Sequence, residues 1–165
     1  MKILLIFAII ASSTYIGFGF ASYYRQRLRF FKDIQDFAGK LILEINFSKK
    51  NLQEIVENNI STCGNDFKRV LTYFFNYLKD INFQFSKDLM FSKRCVLSTE
   101  EKQLVFMFFD GLGKYDLFNQ IKEIENYNSK FKALIETAEV ENKKFGGLYI
   151  KLGLMLGILI GILII

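Results

Sequence analysis

"ILLIFAIIASSTYIGFGFASYY", Ile3 to Tyr24, runs for 22 residues without a charge. As one helix rising 1.5 Å per residue it reaches roughly 33 Å, enough for a hydrocarbon core about 30 Å thick. Lys2 before it and the small-x-small site Gly19-Phe20-Ala21 near its end also fit a secretory signal cleaved at Ala21. Two features favour a retained span. The run exceeds the roughly 7–15-residue apolar core of a signal. It is also followed at once by Arg25, Arg27, Arg29 and Lys32, and basic residues beside a span tend to stay on the cytoplasmic side.

The other end reads "FGGLYIKLGLMLGILIGILII", Phe145 to Ile165, with Lys151 as its one charge. Counted from Leu152 it reaches about 21 Å, too short to cross. Counted from Gly147 it is long enough, provided Lys151 snorkels to the headgroups. Lys143 and Lys144 stand just before it and repeat the cytoplasmic signal. The expected order is a membrane helix over 3–24, a cytoplasmic domain over 25–146 and a second membrane helix over 147–165. Both termini then lie on the far side of the membrane.

Small residues recur at four-residue spacing in both apolar segments: Ser13, Gly17 and Ala21 in the first, Gly153, Gly157 and Gly161 in the second. Such ridges let helix backbones approach closely in lipid. They predict that the spans pair with each other or with other membrane helices.

The 165 residues include 19 Phe and 8 Tyr, and no Pro, His or Trp. A chain without proline suits long uninterrupted helices. Without histidine it lacks the commonest general base and metal ligand, which weakens the case for an enzyme. Of the 22 basic residues, Lys2 and Lys151 belong to the apolar ends, leaving 20 against 17 acids, a net of +3. The cluster "RQRLRFFK" is accounted for as a topology signal touching anionic headgroups. Other basic residues interleave with acids as on a solvated helical face, so no nucleic-acid partner is expected.

The stretch between the apolar ends reads as all-α, a compact bundle of about six helices. Phe30, Ile34, Phe37, Leu41 and Ile45 form one apolar stripe continuing directly from the first span. "NLQEIVENNI" makes a short second helix. "STCGND", Ser61 to Asp66, is loop chemistry, with Asn65 or Asp66 available to cap a third helix carrying Phe67, Val70, Leu71, Phe74 and Leu78. A short helix is placed over Ser86 to Cys95. Ser98 and Glu101 in "STEE" form a capping box, opening a helix with Leu104, Val105, Phe108, Phe109 and Leu112. Leu117, Ile121, Ile124, Asn128, Phe131, Ile135, Ala138, Asn142 and Phe145 alternate in steps of four and three, a heptad seam. Nothing in the pattern separates that helix from the second span.

Sites for chemistry are scarce. "DGLGKYD", Asp110 to Asp116, pairs two glycines with a lysine, but lacks the remaining positions of a phosphate loop and follows a helix rather than a strand. It reads as punctuation instead: Gly111 or Gly113 ends one helix in a left-handed turn, and Asp116 caps the next. Cys63 and Cys95 stand apart, with no C-x-x-C and no histidine, so they are expected as free thiols without metal. No carboxylate pair sits in a context that marks an acid and a base. The expectation is a non-catalytic protein that works by contacts, with no cofactor and no small-molecule substrate.

"IGFGFASYYRQRLRFFKDIQDFAGKLILEINF", with "NLQEI" after it, resembles the start of the stage III sporulation protein AB family. The shared pattern is a small membrane helix, an arginine-rich exit, and a helix ending in Glu44, Ile45 and Phe47. "LSTEEKQLVFMFFDGLGKYDLFNQIKEI" fits more closely. It carries the L-S-x-E-[ED] opening, the L-G-x-x-D turn at Leu112, Gly113 and Asp116, and the Gln120 that follows. Residues 60–96 carry little of the resemblance. Asn51 stands where many members have proline, which leaves the start of the second helix open.

The resemblance implies a protein needed for spore formation, in the mother-cell membrane around the forespore, within a multiprotein channel partly similar to secretion systems. It implies a soluble domain similar to the cytoplasmic domain of type II secretion F proteins, and a secretion-type ATPase and other membrane subunits as partners. Self-association stays open. Three alternatives carry distinct expectations: a platform subunit of a type II secretion or type IV pilus-like system outside sporulation, a membrane-tethered enzyme using carboxylates, and a secreted domain with a cleaved signal and a C-terminal anchor.

Overall fold

The computed structural model describes residues 2–47, 50–80 and 82–164. Ile165, the last residue of the expected second span, lies outside them. The described residues form α-helices and no strand: α1 (Lys2–Phe47), α2 (Leu52–Ile60), α3 (Asn65–Lys79), α4 (Lys87–Met90), α5 (Thr99–Gly111), α6 (Leu117–Phe145) and α7 (Leu148–Ile164). The fold class is all-α. The chain packs as two compact units, one made of Met1–Leu28 with Glu136–Ile165, the other of Arg29–Ile135.

The Arg29–Ile135 unit is a helical bundle around a phenylalanine core. Phe30, Phe31, Ile34, Phe37, Ala38 and Leu41 bury one face of this part of α1. Against them lie Val56 of α2, Phe67 and Phe74 of α3, Phe108 and Phe109 of α5 and Phe131 of α6, all 2 % exposed or less. The rings interlock at the offsets aromatic pairs prefer. Phe109 stacks on Phe37 at 5.9 Å and meets Phe74 at 4.9 Å, while Phe108 sits edge-on to Phe131 at 5.3 Å. Each buried Phe contributes about 1.5–3 kcal/mol of transfer free energy, so this cluster holds the bundle together.

Local chemistry sets the helix starts. Asn51 caps α2, its side-chain oxygen accepting the Glu54 N–H at 2.8 Å, which supplies the start that the missing proline left open. At α5 the Ser98 hydroxyl accepts from the Glu101 N–H (3.2 Å), and the Glu101 carboxylate accepts from the Ser98 N–H (2.8 Å).

The structure departs from the sequence reading in four places. Gly64, rather than Asn65 or Asp66, is the N-cap of α3, and its N–H is taken by the Asp33 carboxylate at 2.8 Å. The helix after Ser86 stops at Met90, and the Cys95 N–H turns back to the Ser92 carbonyl. Leu117, first on the expected seam, is 64 % exposed because it is the opening residue of α6. The last helix is interrupted at Gly146 and Gly147, where two adjacent residues with the highest backbone entropy remove helix propensity.

The second unit pairs the N-terminal part of α1 with α7 and the end of α6. Its outward side chains are mostly apolar along both helices, among them Leu4, Phe7, Ile16, Met155, Ile162 and Leu163, with Lys151 exposed near the start of α7. Two helical stretches of the chain are long and apolar enough to cross a membrane, Ile6–Phe47 and Leu117–Leu163.

Candidate functional site

The two small-residue ridges face each other. Gly17, Ala21, Gly153, Gly157 and Gly161 are all buried. A Cβ on Gly153 would lie 2.7 Å from the Ser13 carbonyl oxygen, and one on Gly157 would lie 2.8 Å from the Ile10 Cα. A Cβ on Gly17 would run into the Tyr149 carbonyl. The obstacles are backbone atoms, which cannot swing aside. The Ser13 hydroxyl donates to the Gly153 carbonyl at 2.6 Å, a direct polar bond across the pair. Gly19, on the same helix, has nothing within 4 Å of its Cβ position, so the tight approach follows the ridge and not glycine in general.

At one end of this pair sits an aromatic and charged cluster that sequence periodicity does not reveal. Tyr24 stacks on Phe145 (5.3 Å) and Tyr149 (5.9 Å), and Phe20 stacks on Tyr149 (5.4 Å). Arg27 is 12 % exposed and pairs with Glu141 at 2.5 Å. Among the cations assigned to the membrane surface, Arg27 is turned inward to a carboxylate. Arg25 lies over the Phe18 ring at 4.9 Å, Lys144 over Phe145 at 5.1 Å, and both are exposed, as is Lys143. Arg29 and Lys32 belong to the other unit.

The corner between α5 and α6 is built from the "GLGKYD" residues. Gly111 is the last residue of α5, Leu112 is buried, and Gly113 takes φ +80°. That conformation is costly for any residue with a Cβ. The Gly113 N–H donates to the Gln120 side-chain oxygen at 2.8 Å, and Gln120 is itself buried. Asp116 accepts from the Asn119 N–H (3.2 Å) and side-chain amide (2.5 Å), capping α6; these bonds hold its carboxyl below the ordinary range. The turn presents no ring of free N–H groups and works as a joint. Beside it Leu41, Ile45, Leu52, Leu112 and Leu117 line an apolar groove of about 200 Å³.

Burial pushes the Asp33 carboxyl up, against the lowering pull of the Gly64 N–H and Arg29. Burial likewise raises the thiols of Cys63 and Cys95, which are half-buried and free. A thiol with a raised pKa is a poor nucleophile at neutral pH. Among the described residues no three His, Cys, Asp or Glu side chains gather to hold a metal ion.

The family model described as stage III sporulation protein AB matches residues 2–165, taking in both apolar helices, the bundle and the corner. The chain belongs to the stage III sporulation protein AB family. No curated protein and no solved structure gives a match. As a stage III sporulation protein AB member, the chain is a sporulation protein. Its two long apolar helices fit a membrane protein.

Proposed function

We propose that this family member is a non-catalytic membrane platform subunit of a sporulation channel between mother cell and forespore, contacting a cytoplasmic ATPase and other membrane subunits. The observation that carries the reading is the close-packed helix pair, joined within one chain to a bundle whose buried polar side chains Glu101 and Gln120 serve a helix cap and a joint. A bundle of this kind offers surfaces rather than a reaction centre, as does the type II secretion F domain that its sequence resembles. The exposed cations Arg25, Lys143 and Lys144 beside the apolar helices support a cytoplasmic bundle.

Two experiments test the proposal. The full chain in detergent micelles should retain a Walker-motif ATPase from the same organism; no retention with both proteins folded would remove the partner. For topology, a Ser129→Cys variant lacking Cys63 and Cys95 should react with a membrane-impermeant maleimide only after lysis. Reaction in intact cells would place the bundle outside and favour the secreted-domain alternative.

A further inference from the structure

A groove of about 620 Å³ runs along α3 and is open to solvent. One wall is a polar stripe of α3 on which Lys68, Arg69 and Thr72 are exposed. The facing wall is Leu89 and Met90 of α4, followed by Ser92. Leu89 is 63 % exposed although its neighbour Met90 is buried. No carboxylate lines the groove. Among the described residues Lys68 and Arg69 are in no ion pair. Lys93 and Arg94, both exposed, follow Ser92 in sequence; the acids closest in sequence to Lys68 and Leu89 are Asp66, half-buried, and Asp88, exposed.

We infer that this groove docks an acidic amphipathic segment of a partner protein, with carboxylates on Lys68 and Arg69 and an apolar side chain against Leu89. The inference rests on the reading that the bundle works by contacts, and it adds the chemistry of one such contact. Unpaired cations on one wall and an exposed leucine on the other offer charge steering and an apolar anchor, the usual division of labour in an interface. The groove does not suit nucleic acid, because it offers no free ring for a base to stack on. Its aromatic residue, Tyr73, packs on Phe83 and Phe85, and its hydroxyl donates to the Gln84 carbonyl and accepts from the Ser86 N–H.

The test uses the full chain in zwitterionic detergent and a dye-labelled helical peptide with glutamates on one face and leucines on the other. A glutamine-for-glutamate version is the control, and both are followed by fluorescence anisotropy. The acidic peptide should bind at least about tenfold more tightly than its control, and added salt should weaken it. Lys68→Glu/Arg69→Glu and, separately, Leu89→Ser should each weaken it about tenfold. These positions are exposed, so the circular dichroism spectrum should not change; Lys68→Gln/Arg69→Gln replaces the charge reversal if that variant unfolds. Equal binding of the two peptides, or undiminished binding by the variants, overturns the inference. Tighter binding of single-stranded RNA lost in the same variants would overturn it in favour of nucleic acid. Self-association lost in them would do so in favour of a second copy. Absent peptide binding beside normal ATPase retention sinks the groove alone; intact peptide binding without ATPase retention sinks the ATPase contact alone.

Discussion

Asp33 spends its charge on a helix start. Its carboxylate accepts the N–H of Gly64, the N-cap of α3, and burial makes ionisation costly there. A raised carboxyl pKa means that the native state holds the proton more tightly than the unfolded chain. The linked stability is therefore fully present below the ordinary value of 3.8 and is lost as pH rises through the native value. Asp33→Asn keeps an oxygen for the Gly64 N–H and removes the desolvated charge. At pH 7 the variant should be at least as stable as the parent, by less than about 1 kcal/mol because water screens the half-exposed group. Chemical denaturation at two pH values checks this: the advantage should vanish below pH 3.8, and an equal deficit at both would refute it. The contrast with Ser98 and Glu101 shows what a sequence exposes at this scale. A capping box lies within four consecutive residues and can be read directly. Asp33 and Gly64 are 31 residues apart, and no local pattern announces their meeting.

Periodicity made the elements largely readable, and it failed where periodicity is silent. The two small-residue ridges stand out at four-residue spacing, and the structure seats one on the other. The interruption at Gly146 and Gly147 did not stand out, because the apolar pattern runs through it unbroken. A Cβ on Gly146 would lie 2.5 Å from the Asn142 carbonyl, so close backbone approach, not polarity, marks that site. The same distinction gives a test of the helix pair. Gly157→Ala puts a methyl 2.8 Å from the Ile10 Cα, and the helices must move apart. Gly19→Ala meets nothing. In micelles unfolded by titrated SDS, Gly157→Ala should cost about 1–3 kcal/mol, the usual penalty of overpacking. Gly19→Ala should cost nothing or stabilise, since alanine is the better helix former. Equal effects of the two would mean that the ridge does not carry the packing.

The whole molecule is held by two different balances of forces. In the Arg29–Ile135 unit the favourable term is burial of phenylalanine rings, a water-dependent effect that yields to heat and denaturant. In the helix pair the outward faces are mostly apolar, and an unpaired backbone group in lipid or detergent costs several kcal/mol, so those helices resist unfolding while their apolar solvent is present. This difference also explains why hydropathy placed the domain edges at 25 and 146, whereas packing places them at 28/29 and 135/136. Hydropathy marks where a helix would leave lipid; packing marks which neighbours its side chains touch, and α1 and α6 each run through both regimes. The consequence is measurable by hydrogen exchange on the full chain in micelles as temperature rises. Amides of the Arg29–Ile135 unit should lose protection together, while those of residues 6–20 and 150–162 stay protected well above that transition. Phe109 contacts the rings of Phe37, Phe67, Phe74 and Phe108, so Phe109→Ala should destabilise the first transition by about 3–5 kcal/mol, much of the total for a small domain. It should leave the helix-pair amides unchanged. A single transition shared by both sets of amides, shifted as one by Phe109→Ala, would show that the two units fold as one.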